Sequence, residues 1–228
     1  MFDITTWAFF GIFALRVSDA YFLIITFAFG ELVHSFFVTG LSIAGGWYGL
    51  AGVPRPQLGI SWFKWDTSRY FYFTVFIFIL CFYVLKKFTE SPFGVALRGI
   101  RENISRMESL GYNTFLYKYV AFIVSGGFAG IAGILFVHLN GIISPTHVGI
   151  GYSTLALLMV LVGGAGTLYG SLLGAILVVF IEYYTSLYLP QRWPLILGGF
   201  FILTVMFGKG GVGVYSIQLW KTVRLWKR

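Results

Sequence analysis

Residues 70–118 read YFYFTVFIFILCFYVLKKFTESPFGVALRGIRENISRMESLGYNTFLYK. Two kinds of chain meet in that stretch. Residues 70–85 form an unbroken apolar run that stops at Lys86 and Lys87. A bilayer offers no partner for backbone N–H and C=O groups, so such a run is read as a helix that satisfies its own. The alternating pattern of a membrane barrel strand is absent from it. Residues 90–118, by contrast, are polar and carry the marks of a short folded helix. Ser91 fits an N-cap and Pro92 the first helical position, where no backbone donor is lost. Phe93, Leu97, Ile100, Ile104 and Met107 recur at spacings of four, three, four and three, which is one apolar face. Arg98, Glu102 and Arg106 stand four apart on another face, with alternating charge. Gly111 fits the stop of this helix, and Asn113 or Thr114 the cap of the next. The bland reading is a solvated connector with some helix in it. An ordered apolar face is costly to leave in water, which favours a docking surface for another protein.

The apolar pattern repeats outward from this stretch. Of 228 residues, 58% are hydrophobic and 11% charged, whereas a soluble domain carries roughly a quarter charged residues. Full apolar runs lie near 20–39, 70–85, 119–139, 149–164, 167–189 and 193–208, close to the ~20 residues that cross as helix. The run 149–164 is of minimal length. Ile4 to Leu15 is too short to cross alone and reads as a partial N-terminal helix. The expected fold is all-α: a single polytopic transmembrane bundle over 1–228, with about six full spans plus that partial helix. The loop 40–69 is built for turns by Gly45, Gly46, Gly49, Gly52, Pro54 and Pro56, with Trp47, Trp62 and Trp65 suited to a membrane boundary.

Charge fixes the expected orientation. If all six runs cross, Lys86, Lys87, Arg98, Arg101, Arg106 and Lys118 share a side with Lys209, Lys221, Arg224, Lys227 and Arg228. These are 11 of the 16 basic residues, and the positive-inside rule makes their side cytoplasmic. The segment 90–118 and the basic tail 209–228 are therefore expected in the cytoplasm, beneath a plasma membrane. The net charge of +8 flanks apolar runs instead of forming a patch, so nucleic acid is not an expected partner.

Few residues carry chemistry. Cys81 is the single cysteine, which excludes an internal disulfide and a multi-cysteine metal site. Gly208, Gly210 and Gly213 spell GxGxxG, but they follow a membrane span and not a strand, and no phosphate-binding GxxxxGK[ST] is present. Neither a zinc-binding HExxH nor a hydrolase arrangement appears, so no catalytic residue, metal or cofactor is expected. Asn103-Ile104-Ser105 matches a glycosylation sequon that a cytoplasmic location leaves unused. Glu31 and His34, three apart, share a face of the first span. They are candidates for a translocation path, against the alternatives of a satisfied interhelical bond or an interfacial position. Glu182 lies toward the outer end of its span and reads as interfacial. Gly126 with Gly130, and Ala129 with Gly133, form small-xxx-small pairs, and Gly166, Gly170 and Gly174 form a ladder for close helix packing.

The segment SPFGVALRGIREN, followed by LGYNTFLYK, resembles the cytoplasmic loop of the permease subunits of branched-chain amino-acid ABC importers, and more specifically the M-type permease. ALRVSDAYFLIITFAFGELV resembles the family's early helix, GGWYGLAGVPRP its glycine-rich external loop, and LLMVLVGGAGTLYGSLLGA its late helix pair. The resemblance covers roughly residues 14–215. Family members usually begin with further helices before the ALR segment, so this chain is expected to lack the first ones. The resemblance implies a type II ABC importer permease that moves leucine, isoleucine and valine. The implied partners are a second, similar permease, two cytoplasmic ATPase subunits and an external solute-binding protein. It implies that the ATPase contact runs from Phe93 to Leu110 and Gly111, with Leu97, Ile100 and Ile104 as apolar anchors and Arg98, Arg101 and Glu102 as polar contacts. Gly126, Gly130, Gly133, Gly166, Gly170 and Gly174 would let helices pack and slide. Permeases for urea or short amides share much of the pattern. Two competing readings are an ion-coupled transporter with Glu31 and His34 as a proton relay, which predicts uptake without an ATPase, and a non-transporting membrane scaffold.

Overall fold

The computed structural model describes residues 11–12, 14–16, 19–39, 46–53, 67–189 and 192–207. The greater part of the expected N-terminal partial helix, Trp62, Trp65 and the basic tail lie outside these residues. Eight helices run through the described chain: α1 (Asp19–Thr39), α2 (Thr67–Glu90), α3 (Pro92–Glu102), α4 (Ile104–Ser109), α5 (Thr114–Asn140), α6 (Ile150–Gly163), α7 (Leu168–Tyr188) and α8 (Trp193–Phe207). The only strands among the described residues are β1 (Leu50–Ala51) and β2 (Ile142–Ile143), two residues each. The fold is an all-α polytopic helical bundle.

Among the described residues, five stretches are long and apolar enough to cross a membrane: Tyr21–Thr39, Ser68–Glu90, Thr114–Asn140, Pro145–Gly163 and Leu168–Tyr188. The sixth expected span is the shorter apolar helix Leu195–Thr204, within α8. Two helix ends depart from the hydropathy bounds. The second span continues past Lys86 and Lys87 to Glu90, and the third starts at Thr114, before its apolar run, because Asn113 caps it there. The minimal run is a 14-residue helix, α6, about 21 Å at 1.5 Å per residue. It reaches 19 residues only when the short turn Pro145–His147 before it is included.

The chain divides into two compact units, Met1–Gly149 and Ile150–Arg228. In the first, α2 and α5 run antiparallel. Tyr70, at the start of α2, is buried at 1% exposure. Its hydroxyl donates to the Leu135 carbonyl at 3.5 Å, and its ring meets His138 at 6.4 Å. At the opposite end of the pair, Phe93 stacks between Phe88 and Tyr117. Phe22 of α1 meets Phe122 of α5 edge-on at 6.2 Å.

In the second unit, α6 and α7 form a hairpin closed by the turn at 164–167, with α8 against both. Its core is Val162, Val178 and Leu197, with Leu155, Leu158, Met159, Phe200 and Phe201 packed around it.

Candidate functional site

The segment 90–118 is anchored first at its corner with α2. Ser91 is extended, with its hydroxyl donating to the Phe88 carbonyl at 2.6 Å and accepting from the Gly94 amide at 3.4 Å. Pro92 occupies the first turn, as expected for an N-terminus that needs no donor there. The turn is so tight that a Cβ on Gly94 would lie 2.8 Å from the Phe88 carbonyl oxygen and closer still to that of Thr89. Arg98 donates from Nη2 to the Thr89 carbonyl at 3.3 Å. Phe93 points back at the membrane helices, 5.1 Å from Phe88 and 4.9 Å from Tyr117 between ring centroids, and Tyr112 closes on Tyr117 at 5.7 Å.

The single helix expected from Ser91 to Gly111 is two helices. Asn103 breaks it in an extended conformation, φ −158° and ψ 103°. Its N–H donates to Gly99 O and ends α3, while its side-chain oxygen accepts from the Arg106 amide at 2.9 Å and caps α4. Asparagine competes with the helix backbone in an interior and stabilises a helix at its N-cap, which is the physical reason for the break. The second helix folds back: a Cβ on Gly99 would sit 2.8 Å from Met107 Sδ. The continuous apolar face is therefore divided, and Arg106 stands on a different helix from Arg98 and Glu102. Among the described residues no ion pair joins these three. The expected terminators hold. Gly111 has φ +85°, and Asn113 accepts from the Leu116 amide at 3.2 Å. Thr114, the other cap candidate, donates to Glu108 Oε1 at 2.8 Å.

Burial sorts the residues expected to contact a partner. Ile100 is only 2% exposed and Ala96 is buried beside it, so Ile100 faces its own chain. Phe93 and Leu97 are half-buried. Val95, Ile104 and Leu110 are exposed at 55%, 38% and 66%, and Arg98, Arg101 and Glu102 are exposed around them. Val95 was missed by the sequence reading because it stands off the 93–97–100 spacing.

Glu31 and His34 meet as their spacing predicts, with Oε2 and Nδ1 at 3.7 Å. Trp47 lies edge-on to the His34 ring at 6.4 Å. Glu182 is half-buried on α7. No group of three or more metal-ligating side chains occurs among the described residues.

The glycines divide by geometry. Gly170 and Gly174 press on backbone: a Cβ on Gly174 would lie 2.6 Å from the Gly163 nitrogen, and one on Gly170 would strike the Gly163 carbonyl oxygen. Gly166, expected in the same ladder, is instead a turn residue with φ +103°, a conformation that favours glycine. Gly163, which the expected ladder did not include, is the last residue of α6 and the contact point for both Gly170 and Gly174. Gly126 is buried, whereas a Cβ on Gly130 or Gly133 would meet nothing within 4 Å.

Residues 4–208 match the family described as branched-chain amino acid transport system / permease component. Over 220 residues the chain is 28% identical to the high-affinity branched-chain amino acid transport system permease protein LivM of Escherichia coli, covering 87% of this chain and 52% of that protein. It is 26% identical over 179 residues to the probable branched-chain amino acid transport permease protein LivM of Methanocaldococcus jannaschii, with coverage of 78% and 48%. It is 30% identical over 170 residues to the autoinducer 2 import system permease protein LsrC of Salmonella paratyphi B, with coverage of 71% and 46%. The chain spans about half the length of the curated relatives it matches. No solved structure matches.

Proposed function

The chain belongs to the branched-chain amino acid transport system permease family, and on that premise we propose that this multi-pass membrane protein is the permease subunit of an ABC importer, moving leucine, isoleucine and valine with energy from separate ATPase subunits. The observation that carries the reading is the α3–α4 segment. It is a capped, folded projection between two membrane-length helices, and it turns Val95, Ile104 and Leu110 outward among Arg98, Arg101 and Glu102. Side chains of that kind suit a protein partner better than bulk water. In this assignment Phe93, Leu97, Ile100 and Gly111 hold the segment in shape, and the exposed residues meet the ATPase. The excess of basic residues on this side of the chain supports a cytoplasmic location. A second, similar permease completes the pathway, with the open Gly130 and Gly133 positions of α5 available for close approach. An external solute-binding protein delivers substrate, and Glu31 and His34 line the path.

The test is capture of ATPase subunits from native membranes by the tagged chain. Wild type is expected to retain an ABC ATPase, and the double variant Ile104→Glu, Leu110→Glu to lose it while remaining inserted. Uptake is then compared among leucine, isoleucine, valine and urea. The urea arm addresses the shared pattern with short-amide permeases, and the relative named for autoinducer 2 import is the reason to include non-amino-acid substrates. An inserted wild-type chain that captures no ATPase, or that drives uptake without one, would remove the importer reading. A proton relay through Glu31 and His34 would then take its place, tested by Glu31→Gln.

A further inference from the structure

Within the first unit, at the end of the α2–α5 pair opposite α3–α4, two separate stretches of chain close on one another. Residues 46–53 and 141–149 pair through β1 and β2, antiparallel, with Leu50 opposite Ile143 and Ala51 opposite Ile142. The amides of Gly52 and Val53 both donate to the Gly141 carbonyl, at 3.0 and 3.1 Å. Gly49, at φ +68°, brings the two arms together backbone to backbone: a Cβ there would sit 2.7 Å from Ser144 Cα. The second arm holds its own shape through a capping box, in which the Ser144 amide donates to His147 Nδ1 at 3.3 Å. The His147 ring rests on Phe136 of α5 at 5.1 Å. Backbone bonds therefore make the two arms one piece and fasten it to Gly141, the residue that ends α5.

Its seat on α1 is of another kind. Trp47 from the first arm meets the His34 ring edge-on, and a Cβ on Gly149 from the second would lie 3.7 Å from His34 Cδ2. Both arms thus converge on one side chain, a turn along the helix from Glu31. The outward side is thinly held: Trp47 is 68% exposed, and Leu50, Ile142, Ile143 and Val148 are exposed as well. Segments with little buried apolar area and exposed backbone bonds belong to the part of a protein that opens at least cost.

We propose that residues 46–53 and 141–149 are a strap, fastened to α5 and seated on His34, whose lifting opens the Glu31–His34 face to the outer side of the membrane. The proposal deepens the assignment of Glu31 and His34 to the translocation path and rests on it. The strap moves as a unit with α5, and the seam that parts is the side-chain contact at His34 and not the strand pair.

The experiment uses the full chain in native membranes, with Cys81→Ser and His34→Cys making a single-cysteine variant. Its labelling by a membrane-impermeant maleimide added from outside is followed in time. Labelling is expected to be slow with the strap intact and several-fold faster after Trp47→Ala, which removes the covering ring. Gly49→Val, which forces the arms apart, is expected to act alike. If the strap lifts during transport, depleting cellular ATP changes the rate in the intact strap. Equal rates across the three strap forms, including no labelling in any of them, would overturn the shielding. An ATP-independent rate would overturn the lifting. Leucine uptake by the chain with His34 intact is measured separately. Uptake without shielding sinks the strap alone, whereas energy-dependent shielding in a chain that imports none of the tested substrates supports the strap and counts against the substrate assignment.

Discussion

Gly174 sits where α7 crosses α6, with no room for even one carbon between it and the Gly163 backbone. Its hydrogen atom is the side chain that lets two helix backbones touch and gain dispersion contacts along the crossing. Gly174→Val places a branched side chain against backbone that cannot rotate away. It is expected to destabilise the hairpin by roughly 1–3 kcal/mol, the usual cost of overpacking. Gly130→Ala and Gly133→Ala meet open space in this chain and are expected to stay within about 0.5 kcal/mol of wild type. Thermal unfolding of the detergent-solubilised chain checks both halves of that contrast. A loss at Gly130 as large as that at Gly174 would mean that the α5 glycines bear a contact from another chain. Gly94 follows the rule of Gly174 at a different place, since the corner between α2 and α3 leaves no volume for a methyl group.

The element that shapes the candidate docking surface is the break at Asn103. One residue ends α3 with its amide and starts α4 with its side chain. Asn103→Ala removes the cap while keeping the chain length. It is expected to cost α4 about 1 kcal/mol, and hydrogen exchange at residues 104–107 should quicken roughly fivefold, the factor that 1 kcal/mol represents at 25 °C. Exchange in α2 and α5 should not change. Asn103→Asp retains a capping oxygen and is expected to retain the protection. Unchanged exchange in the alanine variant would show that the contact of Met107 with Gly99, and not the cap, holds α4. The break separates Ile100, buried on α3, from Ile104, exposed on α4, which a straight helix would have carried on one face.

At the scale of the molecule, the arrangement of crossings is tested by placing single cysteines in a Cys81→Ser chain. Leu110→Cys and Trp47→Cys are both at exposed positions, at opposite ends of the α2–α5 pair. An impermeant thiol reagent outside intact cells is expected to label the second and spare the first until the membrane is opened. Labelling of both from outside would reject the proposed cytoplasmic location of α3–α4. Much of this architecture was legible from residues 70–118 alone. An apolar run with no alternative partner for its backbone has to be a helix in lipid, and Ser91, Pro92, Gly111 and Asn113 mark helix ends by local hydrogen bonding that needs no tertiary contact. The pairing of Glu31 with His34 was equally local, because residues three apart on a helix share a face whatever surrounds it. Three things were not legible. Hydropathy cannot tell a helical glycine from a turn glycine when both lie in GGAGT, so the packing place expected of Gly166 falls to Gly163. Periodicity could not reveal that Asn103 would take both caps, nor that Ile100 would be buried and Val95 exposed. The strap, too, depends on residues 46–53 meeting residues 141–149, far apart in the chain. The helices and their ends could be read along the chain, since lipid and capping act within a few residues. Which glycines touch, which apolar side chains face out and what covers His34 could not, because these depend on the distance between backbones that folding brings together from afar.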